Sequence, residues 1–175
     1  MRKILPLLLL SFYTVSGFAQ KAEKIEWISI EEAFEKIQKE PRKILIDVYT
    51  DWCGWCKRMD AATFTNPEIV NFVSQHYYAV KLDAERKDTI TVGNQTFVNE
   101  KPDQRRHPHN IAIALMNGKM SYPTIVYLDE GFNLIQSVPG YQTPENLEPI
   151  LHFLVTDEYK TTPWEEFQKT FKSNL

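Results

Sequence analysis

Blocks of apolar residues with different spacings follow one another along the chain, and the spacings predict which blocks are strands and which are helices. Residues 43–50 form a nearly continuous apolar, β-rich run, which is typical of a strand covered on both faces of a sheet. Upstream, Ser29 with Glu32 three positions later has the form of a capping box, and the apolar residues after it recur at helical spacing. We therefore predict a helix over about residues 30–39, followed by a buried strand.

Two alternating segments surround Gly93 and Asn94 in the middle of the chain. Because a glycine at the first central position suits a tight turn, we predict a β-hairpin in which Ile90 faces Phe97. Spacing and capping residues also predict helices over about residues 56–64, from 67 onward, over 111–116, from 144 onward and over 163–173, and strands within residues 77–85, 121–129 and 131–141.

The order of the predicted elements indicates the fold class. Helix, buried strand, helices, strand, hairpin, helix, strand, strand and helix together predict an α/β domain, with a central mixed sheet flanked by helices and a β-hairpin insertion. A chain of 175 residues is long enough for one such domain with a sizeable core. The last helix carries Trp164, Phe167 and Phe171 on one face, which we expect to pack back on the domain; partner binding is the alternative.

The N-terminal residues have the parts of a signal peptide. Arg2 and Lys3 precede an apolar run over residues 4–10, and small residues follow at Gly17 and Ala19. We expect residues 1–19 to direct export, with cleavage near Ala19 and a mature domain over residues 20–175; an uncleaved anchor is the alternative. The predicted location is therefore exported, in the periplasm.

Charge and cysteine content narrow the possible functions. Loss of the leader leaves 18 basic residues against 23 acidic ones, a net charge of −5, so bulk charge does not favour nucleic-acid binding. Cys53 and Cys56 are the two cysteines of the chain. An exported protein can keep a disulfide, but a pair three positions apart cannot cross-link distant parts of a fold.

The position of the two cysteines favours thiol chemistry. Cys53 lies at the end of the buried strand and at the start of a helix, where unpaired backbone N–H groups and the helix dipole stabilise a thiolate. Cys56 falls one turn into that helix, close enough to attack a mixed disulfide formed by Cys53. The spacing therefore permits a two-step exchange within one loop.

A metal site is the competing interpretation of the same pair. Two thiolates supply half of a closed tetrahedral zinc site, so further ligands are needed. His107 and His109 are the candidates, but they are separated by Pro108, a spacing that is poor for a shared helical face. We therefore expect no metal at this site.

The segment "ILIDVYTDWCGWCK" and the later "YPT" resemble the thioredoxin superfamily. The resemblance covers about residues 27–155, with an insertion over about 85–108. The segment after the first cysteine looks less like cytoplasmic thioredoxin than like exported thioredoxin-like proteins and the C-terminal domain of the bacterial membrane disulfide reductase. One departure is Trp55, which stands where thioredoxin has proline.

The resemblance implies roles for individual residues. Cys53 is implied as the attacking thiol, Cys56 as the resolving thiol, and Asp47 as the buried proton acceptor for Cys56. Lys81 matches a lysine whose charge lies near that acid. Four residues are implied to contact the substrate around the pair, with the proline in the cis form: Trp52, Trp55, Tyr122 and Pro123.

The resemblance thus implies an exported, monomeric thiol–disulfide oxidoreductase that needs no bound cofactor. Gly54 and Trp55 stand where strongly oxidising relatives have a histidine, which favours the reducing direction. The expected partners are disulfide-containing protein substrates and a membrane-delivered electron donor. Two alternatives remain, a disulfide oxidase or isomerase of the same compartment and a redox-inert module that binds peptides or a metal.

Overall fold

The computed structural model of the protein describes residues 23–175, so the predicted leader lies outside the described residues. Five strands form the main sheet in the order β1-β3-β2-β6-β7, and two form a separate hairpin. The main-sheet strands are β1 (Trp27–Ile28), β2 (Lys43–Tyr49), β3 (Tyr77–Asp83), β6 (Thr124–Leu128) and β7 (Leu134–Pro139), and the hairpin strands are β4 (Ile90–Val92) and β5 (Gln95–Phe97).

The sheet is mixed, as predicted. β3 is parallel to both β1 and β2, whereas β6 is antiparallel to both β2 and β7. β2 is therefore the central strand, and all of its residues from Lys43 to Val48 are buried. Strand β1 was not predicted, because two residues are too few to show an alternating pattern.

Six α-helices flank the sheet within the described residues: α1 (Ile30–Ile37), α2 (Gly54–Ala62), α3 (Pro67–His76), α4 (Asn110–Leu115), α5 (Pro144–Val155) and α6 (Trp164–Thr170). The predicted caps form, since the Ser29 hydroxyl accepts a hydrogen bond from the Glu32 N–H at 3.0 Å and the Asn66 side chain accepts from two N–H groups of α3. Helix α1 ends two residues earlier than predicted.

Alternate side chains of β2 enter two different cores. Ile44, Ile46 and Val48 pack into the core that also contains α1 and α4. Leu45 packs into the second core with residues of α2, α3 and α5, and Asp47 follows Leu45 on the same face. The strand therefore presents a carboxyl group to the layer that contains the cysteine helix.

The hairpin insertion packs on the domain. Ile90 faces Phe97 as predicted, and the Ile90 side chain is fully buried. Gly93 has φ +57 and lies against the ring of Phe34, where an added Cβ would come within 3.0 Å of the ring. The insertion thus contributes to the core beside α1.

Replacing Ile90 with alanine should destabilise the protein by about 2–4 kcal/mol, because the side chain is fully enclosed and its truncation leaves a cavity. Val98, at 42% exposure, is the matched control, and its replacement by alanine should change stability by less than about 0.5 kcal/mol. Urea unfolding of both variants measures the difference. Equal stabilities would show that the hairpin does not belong to the cooperative unit.

The last helix packs back on the domain, as predicted, and its partner there is α5. The rings of Phe167 and Trp164 lie 4.9 Å and 5.1 Å from the ring of Phe153, and Phe167 is buried. Across residues 23–175, no helix has the length and apolar character that a membrane crossing requires.

Candidate active site

Cys53 and Cys56 form a disulfide at the start of α2. Cys53 is the N-cap residue of this helix, and its Sγ accepts a hydrogen bond from the Cys56 N–H at 3.0 Å. Both residues are largely buried, with 5% of Cys53 exposed against 1% of Cys56. Cys53 is therefore slightly more exposed than Cys56, and its Sγ lies at the helix N-terminus, where N–H groups can stabilise a negative charge.

Asp47 and Lys81 are neighbours across the two parallel strands β2 and β3. Lys81 Nζ makes an ion pair and a hydrogen bond with Asp47 Oδ2, and it does the same with Asp60 Oδ1 of α2. Asp47 is fully buried, whereas 42% of the Asp60 side chain is exposed. The lysine thus connects a buried carboxyl to one at the surface.

Asp47 is a buried carboxyl with a raised pKa and one unpaired oxygen. Burial raises the pKa of Asp47 to about 6, although the charge of Lys81 opposes the shift. Partial burial opposes protonation of Lys81, but the adjacent carboxylates of Asp47 and Asp60 outweigh it and raise the pKa of Lys81. The second oxygen of Asp47, Oδ1, is buried and has no hydrogen-bond partner in the structure. A free acceptor atom of this kind can receive a proton.

Aromatic rings surround the ammonium group of Lys81. Nζ lies 5.0 Å from the ring centre of Trp27, 5.1 Å from that of Tyr49 and 5.7 Å from that of Phe64. A cavity of about 360 Å³ is lined by Lys81, Asp60 and several of their neighbours. Asp60 and these rings were missed from the sequence, because the contacts join residues far apart in the chain.

Replacing Asp47 with asparagine should stabilise the oxidised protein at pH 7. A carboxyl whose folded-state pKa lies above its unfolded value of about 4 favours folding most below pH 4, and this contribution is lost as the pH rises through 6. Asparagine has no charge to bury at pH 7, so it avoids this loss of stability. Lys81 keeps Asp60 as an ion-pair partner. Relative to wild type, the variant should therefore gain about 1–3 kcal/mol between pH 4 and pH 7.

Urea unfolding at the two pH values measures this gain. Asp51→Asn is the matched control, because Asp51 is an exposed acidic residue in the loop that follows β2, and it should show no comparable gain. A gain that does not grow with pH would contradict the burial of a charged carboxylate at position 47.

The Tyr122–Pro123 peptide bond is cis, as the resemblance implies. Pro123 is buried, and its carbonyl accepts a hydrogen bond from the Gly140 N–H at 2.8 Å. The ring of Tyr122 meets the ring of Trp52 edge to face at 5.9 Å. This contact brings the cis-proline loop next to the residue that precedes Cys53.

Two exposed tryptophans flank the first cysteine in the sequence, and each belongs to a cluster of rings with an arginine. Trp52 contacts Tyr122, and the guanidinium Cζ of Arg106 lies 4.5 Å from the Trp52 ring centre. Trp55 is 58% exposed and lies 5.5 Å from the ring of Tyr141. Arg58 lies 5.6 Å from the Trp55 ring and 5.9 Å from that of Tyr141. Arg58, Arg106 and Tyr141 were not identified from the sequence, because no periodic pattern marks them.

The two histidines considered as metal ligands make other contacts. His109 is buried, its Nδ1 accepts from the Ile111 N–H at 3.2 Å, and its Nε2 therefore donates to the Asp88 carbonyl at 3.0 Å. His107 Nδ1 lies 2.9 Å from Asn99 Oδ1. Within the described part of the chain, no group of three or more His, Cys, Asp or Glu side chains is arranged to hold a metal ion.

Comparison with known proteins agrees with the architecture. A family described as a thioredoxin-like domain matches residues 30–154. Among solved structures, one titled DsbH oxidoreductase superposes with a TM-score of 0.55 at 17% identity, covering 83% of this chain and 95% of that chain. At this level of identity the likeness establishes the fold.

Two curated relatives match shorter segments. Disulfide bond reductase DsbH of Chlamydia pneumoniae is 25% identical over 109 residues, which cover 62% of this chain and 58% of the relative. Human spermatogenesis-associated protein 20 is 32% identical over 81 residues, 46% of this chain, and the match spans only 10% of that protein's length. The resemblance to bacterial disulfide reductases is thus confirmed, together with the predicted fold. The chain belongs to the thioredoxin-like family and carries the CxxC pair of its disulfide oxidoreductases.

Proposed function

We propose that the protein is an exported thiol–disulfide oxidoreductase that reduces disulfides in protein substrates. The observation that carries the proposal is the Cys53–Cys56 disulfide at the N-terminus of α2, next to exposed aromatic rings. A disulfide between residues three apart does not brace the fold, so its use in exchange is the better explanation.

The reduced protein would act in two displacements. The Cys53 thiolate attacks one sulfur of the substrate disulfide, a mixed disulfide forms, and the other substrate sulfur leaves as a thiolate that takes up a proton. The Cys56 thiolate then attacks Cys53 Sγ and releases the second substrate thiol. One substrate disulfide becomes two thiols, and the Cys53–Cys56 dithiol becomes the disulfide.

Asp47 is proposed to accept the proton of Cys56 before the second displacement. Three features support this role, namely its burial, its raised pKa of about 6 and its unpaired Oδ1. Lys81 is proposed to adjust the basicity of this carboxylate through their ion pair. Trp52, Trp55, Tyr122 and Pro123 are proposed to form the surface that receives the substrate chain.

The reducing direction is supported by the residues between the cysteines. Gly54 and Trp55 bring no cation or hydrogen-bond donor comparable to a histidine beside Cys53, so the thiolate of the reduced form gains less stabilisation than in strong oxidants. A dithiol that is less stabilised gives up its electrons more readily.

Export is supported by the composition of residues 1–19, and an exported reductase needs a source of electrons outside the cytoplasm. The proposed source is a membrane-delivered dithiol donor, which would return the disulfide to the dithiol after each cycle. The protein is proposed to act as a monomer without a bound cofactor.

A single-turnover assay tests the function. The pre-reduced protein should contain two free thiols and should lose both when it is mixed with one equivalent of a disulfide-bonded peptide, while the peptide gains two thiols. The oxidised protein should contain no free thiols. Two thiols that persist in the presence of excess peptide disulfide would rule out the proposed activity.

A further inference from the structure

Arg106 belongs to the insertion, and its guanidinium stacks on the exposed tryptophan that precedes the cysteine pair. The stacking distance, 4.5 Å from Cζ to the ring centre, lies within the range of a cation–π contact. Trp52 remains 48% exposed and is the chain neighbour of Cys53. The insertion therefore places a cation at the surface that a substrate disulfide must approach.

The loop that carries Arg106 is held by a buried asparagine. Asn99 is 7% exposed, and its Nδ2 donates to the carbonyls of Arg86 at 3.2 Å and His107 at 3.0 Å. The side-chain oxygen of Asn99 accepts from His107 Nδ1 at 2.9 Å. Arg106 itself has φ 61, a left-handed conformation that a non-glycine residue keeps only where its surroundings impose it. These bonds hold His107, the residue that follows the arginine in the chain.

The tryptophan under the guanidinium is also held in place. Its Nε1–H donates to Glu85 Oε1 at 2.9 Å, and the Tyr122 ring packs on it edge to face. Glu85 lies at the start of the insertion, so both ends of this segment meet at Trp52. An ordered platform of this kind loses little further conformational entropy when a ligand binds.

The donor groups of Arg106 are left available by this arrangement. Within residues 23–175, the guanidinium of Arg106 contacts the ring of Trp52, and no carboxylate forms an ion pair with it. Arg86 of the same insertion is by contrast paired with Asp88 and Glu31. When a guanidinium stacks on a ring by its face, the N–H groups along its edge remain free to donate hydrogen bonds. Their geometry matches the two oxygens of a carboxylate.

We propose that Arg106 is a specificity-determining residue that binds an acidic side chain adjacent to a cysteine of the substrate disulfide. The preferred substrate class is thus a disulfide-bonded peptide segment with Asp or Glu beside its cysteine. This inference rests on the proposed reductase function, and the covalent step is the exchange described above.

Acidic residues near Trp52 and Tyr122 increase the expected effect of removing Arg106. Burial raises the pKa of Tyr122 to about 12, and the nearby carboxylates of Glu85 and Asp83 add to the shift. Without Arg106, these carboxylates would repel an acidic substrate. Arg106→Gln should therefore do more than abolish a preference for acidic peptides; it should reverse it.

The test uses the pre-reduced full chain and three short peptides, each with one internal disulfide and with Asp, Asn or Lys on both sides of each cysteine. Rates of peptide reduction are measured after an acid quench at low salt. Wild type should reduce the Asp peptide about five- to tenfold faster than the Asn peptide, and the preference should shrink as salt rises. Arg106→Gln should reduce the Asp peptide more slowly than the Asn peptide.

Arg105→Gln is the matched control, because Arg105 is the exposed neighbour in the same loop, and it should keep the wild-type preference. Equal wild-type rates on all three peptides would overturn the inference while leaving the proposed function intact. If the preference for the Asp peptide is lost in Arg58→Gln but kept in Arg106→Gln, it arises from the cluster of Trp55, Tyr141 and Arg58. That result would also overturn the inference about Arg106. Failure of wild type to reduce any of the peptides would instead contradict the proposed function.

Discussion

Cys53→Ser should abolish disulfide reduction, whereas Cys56→Ser should retain the first attack and accumulate covalent adducts. The reason is the difference in position, since Cys53 is the more exposed residue, at the helix N-terminus, and Cys56 is nearly fully buried one turn later. Loss of the nucleophile should lower the rate by about a thousandfold or more. Loss of the resolving thiol should leave the substrate bound through Cys53.

Non-reducing electrophoresis and mass measurement of the adducts distinguish the two variants. Adducts should form with Cys56→Ser, disappear on addition of a reductant, and be absent from the Cys53→Ser and double-serine proteins. Adducts that form through Cys56 in the Cys53→Ser protein would reverse the proposed roles. The trapped proteins would also identify the natural substrates.

Asp47→Asn should slow the reduction of a peptide disulfide by roughly ten- to a hundredfold near pH 7, because an amide cannot accept the proton of Cys56. Wild-type activity should rise with pH through the pKa of Asp47, about 6, and this rise should be missing in the variant. Above pH 9 the two rates should converge, since a thiol with an ordinary pKa of about 8.5 ionises there without a base.

The rate measurement is made from pH 5 to pH 9.5 on single turnovers of the pre-reduced proteins. Asp51→Asn serves again as the control and should follow the wild-type profile. The variant keeps Lys81 paired with Asp60, so we expect its folded structure to be unchanged. Circular dichroism verifies this. Identical pH profiles for Asp47→Asn and wild type would contradict the proton-transfer role.

Local patterns predicted most of the fold. The continuous apolar run of β2 indicated a strand buried on both faces, and the turn residues at Gly93 and Asn94 gave the register of Ile90 against Phe97. Both features depend on residues that are close in the chain. The two-residue strand β1 is too short for any period, so only its pairing with β3 reveals it.

The part of the candidate site that lies in one short segment of the chain was also predicted. The cysteines and the adjacent tryptophans lie in one short segment, but the contacts of Lys81 with Asp60 and of Arg106 with Trp52 join residues from separate elements. No pattern in the sequence indicated that Asn99 is buried. These pairings arise from tertiary packing, which periodicity does not encode.

The reduction potential of the Cys53–Cys56 pair tests the central claim most directly. It is obtained by equilibrating the full chain with glutathione buffers of graded ratio at pH 7 and counting free thiols after alkylation. Because Gly54 and Trp55 add no cation between the cysteines, a reductase of this design should have a potential of roughly −270 to −200 mV. A value near about −120 mV, the range of the strongest thiol oxidants, would contradict the reducing direction and favour an oxidase.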